Sequence, residues 1–222
     1  MSSLYDSPGF ELTKLARLPY RLTIAVIVLC LMHLVVMLLH YEFFEIDWLI
    51  RGMFDLDEEQ SFGTWFSSLI LLLAALLLLF HAHNLEQTSQ PMTLAWWVLG
   101  FGFCILSMDE IVGMHESLNT AIEISWAIPG AIAAAIVALA YIPFLLHLPS
   151  TTMWLFVASG ALFLGGAVGI ELLTESYAEE DLLDTLSYNL TTLVEEGLEM
   201  SGVVLFIRTL LQHINYETEK SA

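Results

Sequence analysis

Long apolar runs separated by short polar segments dominate the chain. Six runs are long enough to cross about 30 Å of hydrocarbon as helices, at a rise of about 1.5 Å per residue. They cover approximately residues 22–40, 62–83, 93–114, 124–146, 151–174 and 185–211. The pattern predicts an all-α integral membrane protein, a bundle of about six transmembrane helices. This transmembrane domain covers residues 22–212, between an N-terminal segment at 1–21 and a tail at 213–222.

The sixth run differs from the other five. Its second half, "SGVVLFIRTLL", is strongly apolar but too short to cross a membrane alone, and its first half, "TLSYNLTTLVEEGLEM", is polar. A complete span therefore needs part of the polar half. We expect Glu195, Glu196 and Glu199 to lie within the thickness of the membrane.

Composition supports a membrane protein and excludes one function class. Of the 222 residues, 57% are hydrophobic and only 14% are charged, which is unusual for a soluble domain. The net charge of -19, with six Lys and Arg in total, argues against a nucleic-acid partner, because phosphate binding needs clustered basic residues. Cys30 and Cys104 lie in separate apolar runs, and we interpret both as core residues.

The basic residues predict the orientation, since they favour the cytoplasmic side of a membrane. Only Arg51 falls in an outer loop. The other five basic residues lie near the first and last spans and are Lys14, Arg17, Arg21, Arg208 and Lys220. The prediction is N-in and C-in, with an acidic outer face, in a cell membrane such as the bacterial inner membrane. The first outer loop is either a short amphipathic helix at the interface or an ordinary loop with a Trp anchor.

Ionisable residues recur near the outer ends of four predicted spans. They are Asp109 and Glu110 in span three, Glu171 in span five, Glu195, Glu196 and Glu199 in span six, and His33 and His40 in span one. An ionised group in the hydrocarbon is costly, by about 2.5 kcal/mol or more at the centre of a span, unless it is paired or hydrated. Such groups usually mark a functional cavity, so we expect these residues to converge.

Helical spacing indicates which of these groups can act together. Thr192, Glu195 and Glu199 share one helix face, with Glu196 beside them. In "SMDEIVGMHE", His115 points away from Asp109 if the helix stays regular. We expect the helix to loosen at Gly113, which would allow a close approach and let His115 fold back as a ligand or proton carrier.

Several carboxylates in a low dielectric cannot all stay ionised and unpaired, so either protons or cations must neutralise them. Carboxylates with imidazoles form ligand sets for Zn, Fe or Mn in helical bundles. The predicted ligands of a divalent metal ion are Asp109, Glu110, His115, Glu171, Glu195, Glu196, Glu199, His33 and His40, with Asp109, Glu110 and His115 also catalytic. The alternatives are that His33 hydrogen-bonds to a neighbouring helix backbone and that His40 is only interfacial.

Two functions of different classes fit these residues. The first is a membrane-embedded, metal-dependent enzyme whose site opens to the outer leaflet and acts on a lipid-like or small substrate. The alternative is a cation- or proton-handling transporter or channel subunit, or an accessory subunit with a structural metal ion. The cytoplasmic halves of the spans carry few polar residues, which favours the enzyme. Expected partners are membrane lipid, the metal ion, and a second copy or another membrane subunit.

Overall fold

The computed structural model describes residue 15 and residues 17–87, 92–114, 117, 125–180 and 182–221. The described part is all-helical and contains no strand. Its helices are α1 (Leu18–Glu42), α2 (Trp48–Phe54), α3 (Phe62–Gln87), α4 (Thr93–Val112), α5 (Ala127–His147), α6 (Ser150–Leu164), α7 (Glu171–Glu179) and α8 (Leu186–Ser221). A π-helical segment, Gly165–Ile170, joins α6 to α7.

Five segments are long and apolar enough to cross a membrane. They are Leu18–Glu42, Phe62–Gln87, Thr93–Val112, Ala127–His147 and Ser150–Thr174, and they coincide with the first five predicted runs. The sixth run lies in α8, which is one continuous helix through both its polar and its apolar half. This helix is not among the five apolar segments. It also continues to Ser221, well into the segment predicted to be a tail.

The α8 helix lies at the centre of the bundle, where α1, α3, α6 and the π-helical segment all pack against it. Its contact with α6 is a close approach of two backbones. A Cβ atom on Gly202 would meet Phe163 N at 2.8 Å and Ser159 O at 2.9 Å, and the Ser159 hydroxyl donates to the Gly202 carbonyl at 2.8 Å. Small residues and a serine hydrogen bond are typical of helix contacts in membranes.

A pair of serines holds α4 against α3. The Ser68 hydroxyl donates to the Ser107 carbonyl at 2.8 Å, and the Ser107 hydroxyl donates to the Ser68 carbonyl at 2.9 Å. Both side chains are buried. Because Ser107 is two residues before Asp109, this reciprocal pair fixes the position of the acidic end of α4.

The two ends of the bundle differ in character. The carboxylate end holds the α1–α2 connection, the C-terminal end of α4 and the first turns of α8. The terminal end holds the start of α1 and the last turns of α8. There Trp96 packs edge-on to His81 with ring centroids 4.7 Å apart and stacks on His213 at 5.4 Å. Both histidines are buried, so an aromatic cluster packs the interior at the terminal end.

The outer surface of the helices is apolar. On α5, for example, Ile132, Ile136 and Leu139 are 59%, 62% and 66% exposed. Polar groups such as Ser68 and Ser159 instead face other helices and are hydrogen-bonded. This distribution is compatible with a multi-pass membrane protein, in which lipid covers the apolar surface.

Two glycines allow a test of the α6–α8 contact. Gly202→Ala should destabilise the fold by about 1–3 kcal/mol, because the added methyl group meets backbone atoms that cannot move independently. Gly160→Ala is the matched control, since a Cβ atom there meets nothing within 4 Å. Thermal unfolding in detergent measures both variants. Equal melting temperatures for the two variants would contradict this description of the contact.

Candidate carboxylate site

Carboxylates from three parts of the chain meet at the carboxylate end. We call Asp109, Glu110, Glu171, Glu195, Glu196 and Glu199 the carboxylate cluster. Glu199 is an electrostatic neighbour of Glu110, Glu195, Glu171 and Asp109, and Glu196 is a neighbour of Glu199, Glu110 and Glu195. All six residues are partly buried. The six carboxylates predicted to converge are therefore brought together by α4, the start of α7 and α8.

The end of α4 is shaped by Gly113. The helix stops at Val112, and Gly113 takes the left-handed conformation with φ of 59° and donates its N–H to the Asp109 carbonyl at 2.8 Å. Glycine adopts this conformation without the steric cost of a Cβ atom. The Glu59 carboxylate lies where that Cβ atom would be. His115 and Glu116, which follow this turn, lie outside the described residues.

The π-helical segment brings Glu171 to the cluster. A Cβ atom on Gly166 would meet the Glu195 carbonyl oxygen at 2.6 Å and Glu199 Cγ at 2.7 Å, so this segment touches α8 directly at its acidic turns. Glu171 follows the segment and is an electrostatic neighbour of both Glu195 and Glu199. A π-helical turn inserted in an α-helix is frequent at functional sites.

In the turns of α8 that precede Glu195, the helix carries two further polar side chains, Tyr188 and Thr192. The Tyr188 hydroxyl donates to Asp57 Oδ2 at 2.9 Å, which ties the α2–α3 loop to α8. One turn later Thr192 is 1% exposed, and its hydroxyl has no hydrogen-bond geometry to any described group, although it lies near Tyr188. Asp57 itself is an electrostatic neighbour of Glu195 and Glu196.

His33 has a structural role in this conformation. Its side chain is fully buried, Nε2 lies 2.9 Å from the Asn189 carbonyl, and the Leu56 N–H donates to Nδ1 at 3.1 Å. A peptide N–H can only donate, so Nδ1 accepts from Leu56 and Nε2 carries the proton, while the Phe54 carbonyl and the Asp55 carboxylate lie farther from Nδ1, at 3.3 and 3.7 Å. Both ring nitrogens are used in joining α1, the α2–α3 loop and α8. This is the backbone-bonding alternative that the sequence left open.

His40 takes part in a separate network on the outer side of α1. The Ile46 N–H donates to His40 Nδ1 at 3.0 Å, and Nε2 lies 3.2 Å from Arg51 Nη1. Arg51 also pairs with Asp184 at 2.9 Å, and the Tyr41 hydroxyl donates to Asp184 at 2.7 Å. These hydrogen bonds from Tyr41 and Arg51 lower the pKa of Asp184. The network ties α1 and α2 to the connection before α8, so His40 is not directed to the cluster.

No three His, Cys, Asp or Glu side chains within the described ranges are arranged to hold a metal ion. The carboxylates of the cluster thus lie near enough to repel one another, but the described side chains do not form a coordination sphere. Asp57 and Glu59 were not among the residues that the sequence assigned to the site; both are exposed, and Asp57 is an electrostatic neighbour of Glu195 and Glu196. No periodicity in the sequence marks these two residues, because their loop is held by a hydrogen bond that the Leu56 N–H donates to the distant His33.

The fold and the cluster define a class of protein, an all-helical chain with five candidate membrane-spanning helices and a group of carboxylates at one end. The chain belongs to the family described as domain of unknown function DUF8692, whose model matches residues 21–214. No curated protein and no solved structure matches it.

The role of His33 can be tested by removal of its side chain. His33→Ala leaves the Leu56 N–H and the Asn189 carbonyl buried without their partner, which should cost about 1–3 kcal/mol for each unsatisfied group. His83→Ala, at an exposed position, is the control and should unfold like the wild type. Thermal unfolding and the metal content of the folded fraction are measured together. A loss of metal with unchanged stability would make His33 a ligand instead.

Proposed function

We propose that the protein is a six-span membrane protein, with α8 as the sixth span, whose carboxylate cluster binds a divalent metal ion from the outer face. The ion, Zn, Fe or Mn, would serve a membrane-embedded enzyme that acts on a lipid-like or small substrate. The observation that carries this proposal is the convergence of six partly buried carboxylates from separate helices.

Electrostatics supports a bound cation. Within the described part of the chain, the charged groups that act most strongly on Glu195, Glu196 and Glu199 are all carboxylates. Mutual repulsion in a partly dehydrated site is unfavourable unless protons or cations neutralise it. Divalent ions with oxygen ligands meet this requirement, and a small inward movement of flexible Glu side chains would shorten the distances.

The ligands that we assign are Asp109, Glu110, Glu171, Glu195, Glu196 and Glu199. His115, two residues after Gly113 in the sequence, would add a nitrogen ligand or carry protons beside Asp109 and Glu110. In such a site the metal ion would lower the pKa of a bound water and polarise the substrate. His33 and His40 are not among these ligands, because both are engaged elsewhere.

A second candidate is a protein that handles protons or cations without a resident metal ion. The observation that favours it is that no described His, Cys, Asp or Glu group has the arrangement of a metal site. In that case several of the carboxylates would be protonated, and the cluster would exchange protons or cations with the outer solution.

The orientation generates one prediction. Reporter fusions at residues 1 and 222 should both give a cytoplasmic signal, because Arg17, Arg21 and Arg208 lie toward the terminal end. The control is a reporter inserted in the α2–α3 loop, which should give an extracytoplasmic signal. Opposite signals from the two termini would remove α8 as a span.

The metal ion generates the next prediction. Glu199→Gln keeps the size of the side chain but removes a ligand charge, so metal content and melting temperature should both fall. An ion present at about 1,000 times its Kd stabilises the fold by about 4 kcal/mol. Prolonged chelation of the wild type should therefore lower its melting temperature, as Glu199→Gln does. Glu45→Gln, an exposed acid on the same side, is the matched control. Elemental analysis and thermal unfolding measure the outcome.

The same experiment separates the two candidates. Wild-type protein that contains no stoichiometric metal and keeps its stability after chelation contradicts the metal-dependent enzyme. The proton-handling candidate then predicts that proteoliposomes with wild-type protein change the internal pH faster than those with Glu199→Gln. Equal rates in the two preparations would contradict that candidate too.

A further inference from the structure

A groove of about 630 Å³ runs between α1 and the C-terminal half of α8, away from the carboxylate cluster. Its volume is in the range of small-molecule sites, about 300–1,000 Å³. Buried side chains form its floor and exposed ones its rim. The floor includes Val26, Val204 and Leu211, and the rim includes Tyr20, Ile27 and Arg208.

The groove is polar at one end and apolar at the other. The two helices are antiparallel, since Cys30 Sγ lies 3.7 Å from the position of a Cβ atom on Gly197, while Leu15 and Asn215 line the same groove at the terminal end. Most of the polar lining therefore lies toward the terminal end, where it comprises Tyr20, Thr23, Arg208, Gln212 and Asn215. Toward the middle of the bundle the lining is mainly apolar and comprises Val26, Ile27, Val204 and Leu205, with Ser201 as its polar residue.

Arg208 is the charged residue of this groove. It is exposed, and no carboxylate in the described ranges forms an ion pair with it. An arginine guanidinium can donate two parallel hydrogen bonds to a phosphate, and basic pockets between membrane helices bind anionic headgroups. The positive charge at the polar end and the apolar channel that extends from it match the two parts of a phospholipid.

We propose that this groove binds one anionic phospholipid, with its phosphate at Arg208 and one acyl chain along Val26, Ile27 and Leu205. The proposal rests on membrane insertion but not on a metal ion in the carboxylate cluster. Gln212, Asn215 and the Tyr20 hydroxyl supply further hydrogen bonds to the headgroup. The lipid belongs to the leaflet at the terminal end, which is the cytoplasmic leaflet in the orientation proposed above.

Native mass spectrometry of the full chain in detergent tests this proposal. Titration with phosphatidylglycerol should show one lipid that binds more tightly than phosphatidylcholine. Arg208→Gln should weaken phosphatidylglycerol binding about tenfold, the effect of one lost charge-assisted contact. Arg21→Gln, a cation at the same end that does not line the groove, should leave it unchanged.

A second variant keeps the test informative if Arg208→Gln fails to fold. Ser201→Phe fills the apolar part of the groove from an exposed position and should weaken the binding of both lipids. Equal affinity of the wild type for the two lipids would overturn the proposal, as would an equal loss in Arg21→Gln and Arg208→Gln. A dimer that Ser201→Phe dissociates would show a second copy as the occupant and overturn it also.

Discussion

The close approach of α8 to α6 and the π-helical segment is the contact on which the rest of the structure depends. At Gly166 and Gly202 a single Cβ atom would meet backbone atoms of the neighbouring helix within 3 Å. Since α1 and α3 also pack against α8, a shift at these glycines would move most of the bundle. The same contact sets Glu195 and Glu199 beside Glu171. The packing of small residues thus brings acids together that would separate on electrostatic grounds.

The hydropathy pattern predicted much of the fold because lipid-facing helices have an all-round apolar surface. Five of the six segments that it marked are helices long and apolar enough to span a membrane. The sequence also marked Gly113 as a point where the helix loosens, and in the structure the helix ends there, with Gly113 in the left-handed conformation that commonly ends helices. The extent of α8 did not follow. Its last turns are polar in sequence, yet His213 and Ile214 are buried against other helices.

The site was predictable only where its residues lie on regular helices. Helical spacing predicted that Glu195 and Glu199 share one face. Asp109 and Glu171 were expected near them because they lie at a similar depth, near the outer ends of their predicted spans. Asp57 and Glu59 belong to a loop whose course is set by contacts that are distant in sequence. His33 holds Leu56, and Tyr188 holds Asp57. No local pattern encodes such contacts. His33, one of the predicted ligands, holds the α2–α3 loop through the Leu56 N–H in this conformation, and Asp57 of the same loop lies near Glu195 and Glu196.

The distribution of polar groups along α8 favours chemistry at one end over conduction through the bundle. Glu199 lies beside Gly166, but the buried side chains that follow toward the terminal end include Met200, Val203 and Ile207. Thr209 interrupts this apolar face, and its hydroxyl is engaged with the Leu205 carbonyl at 2.8 Å. A proton or metal ion that left the cluster in that direction would meet no titratable side chain on this buried face before His213. In a low dielectric such a step is costly. A cation bound at the cluster, as we propose, would therefore exchange with the solution at that end more readily than cross the bundle.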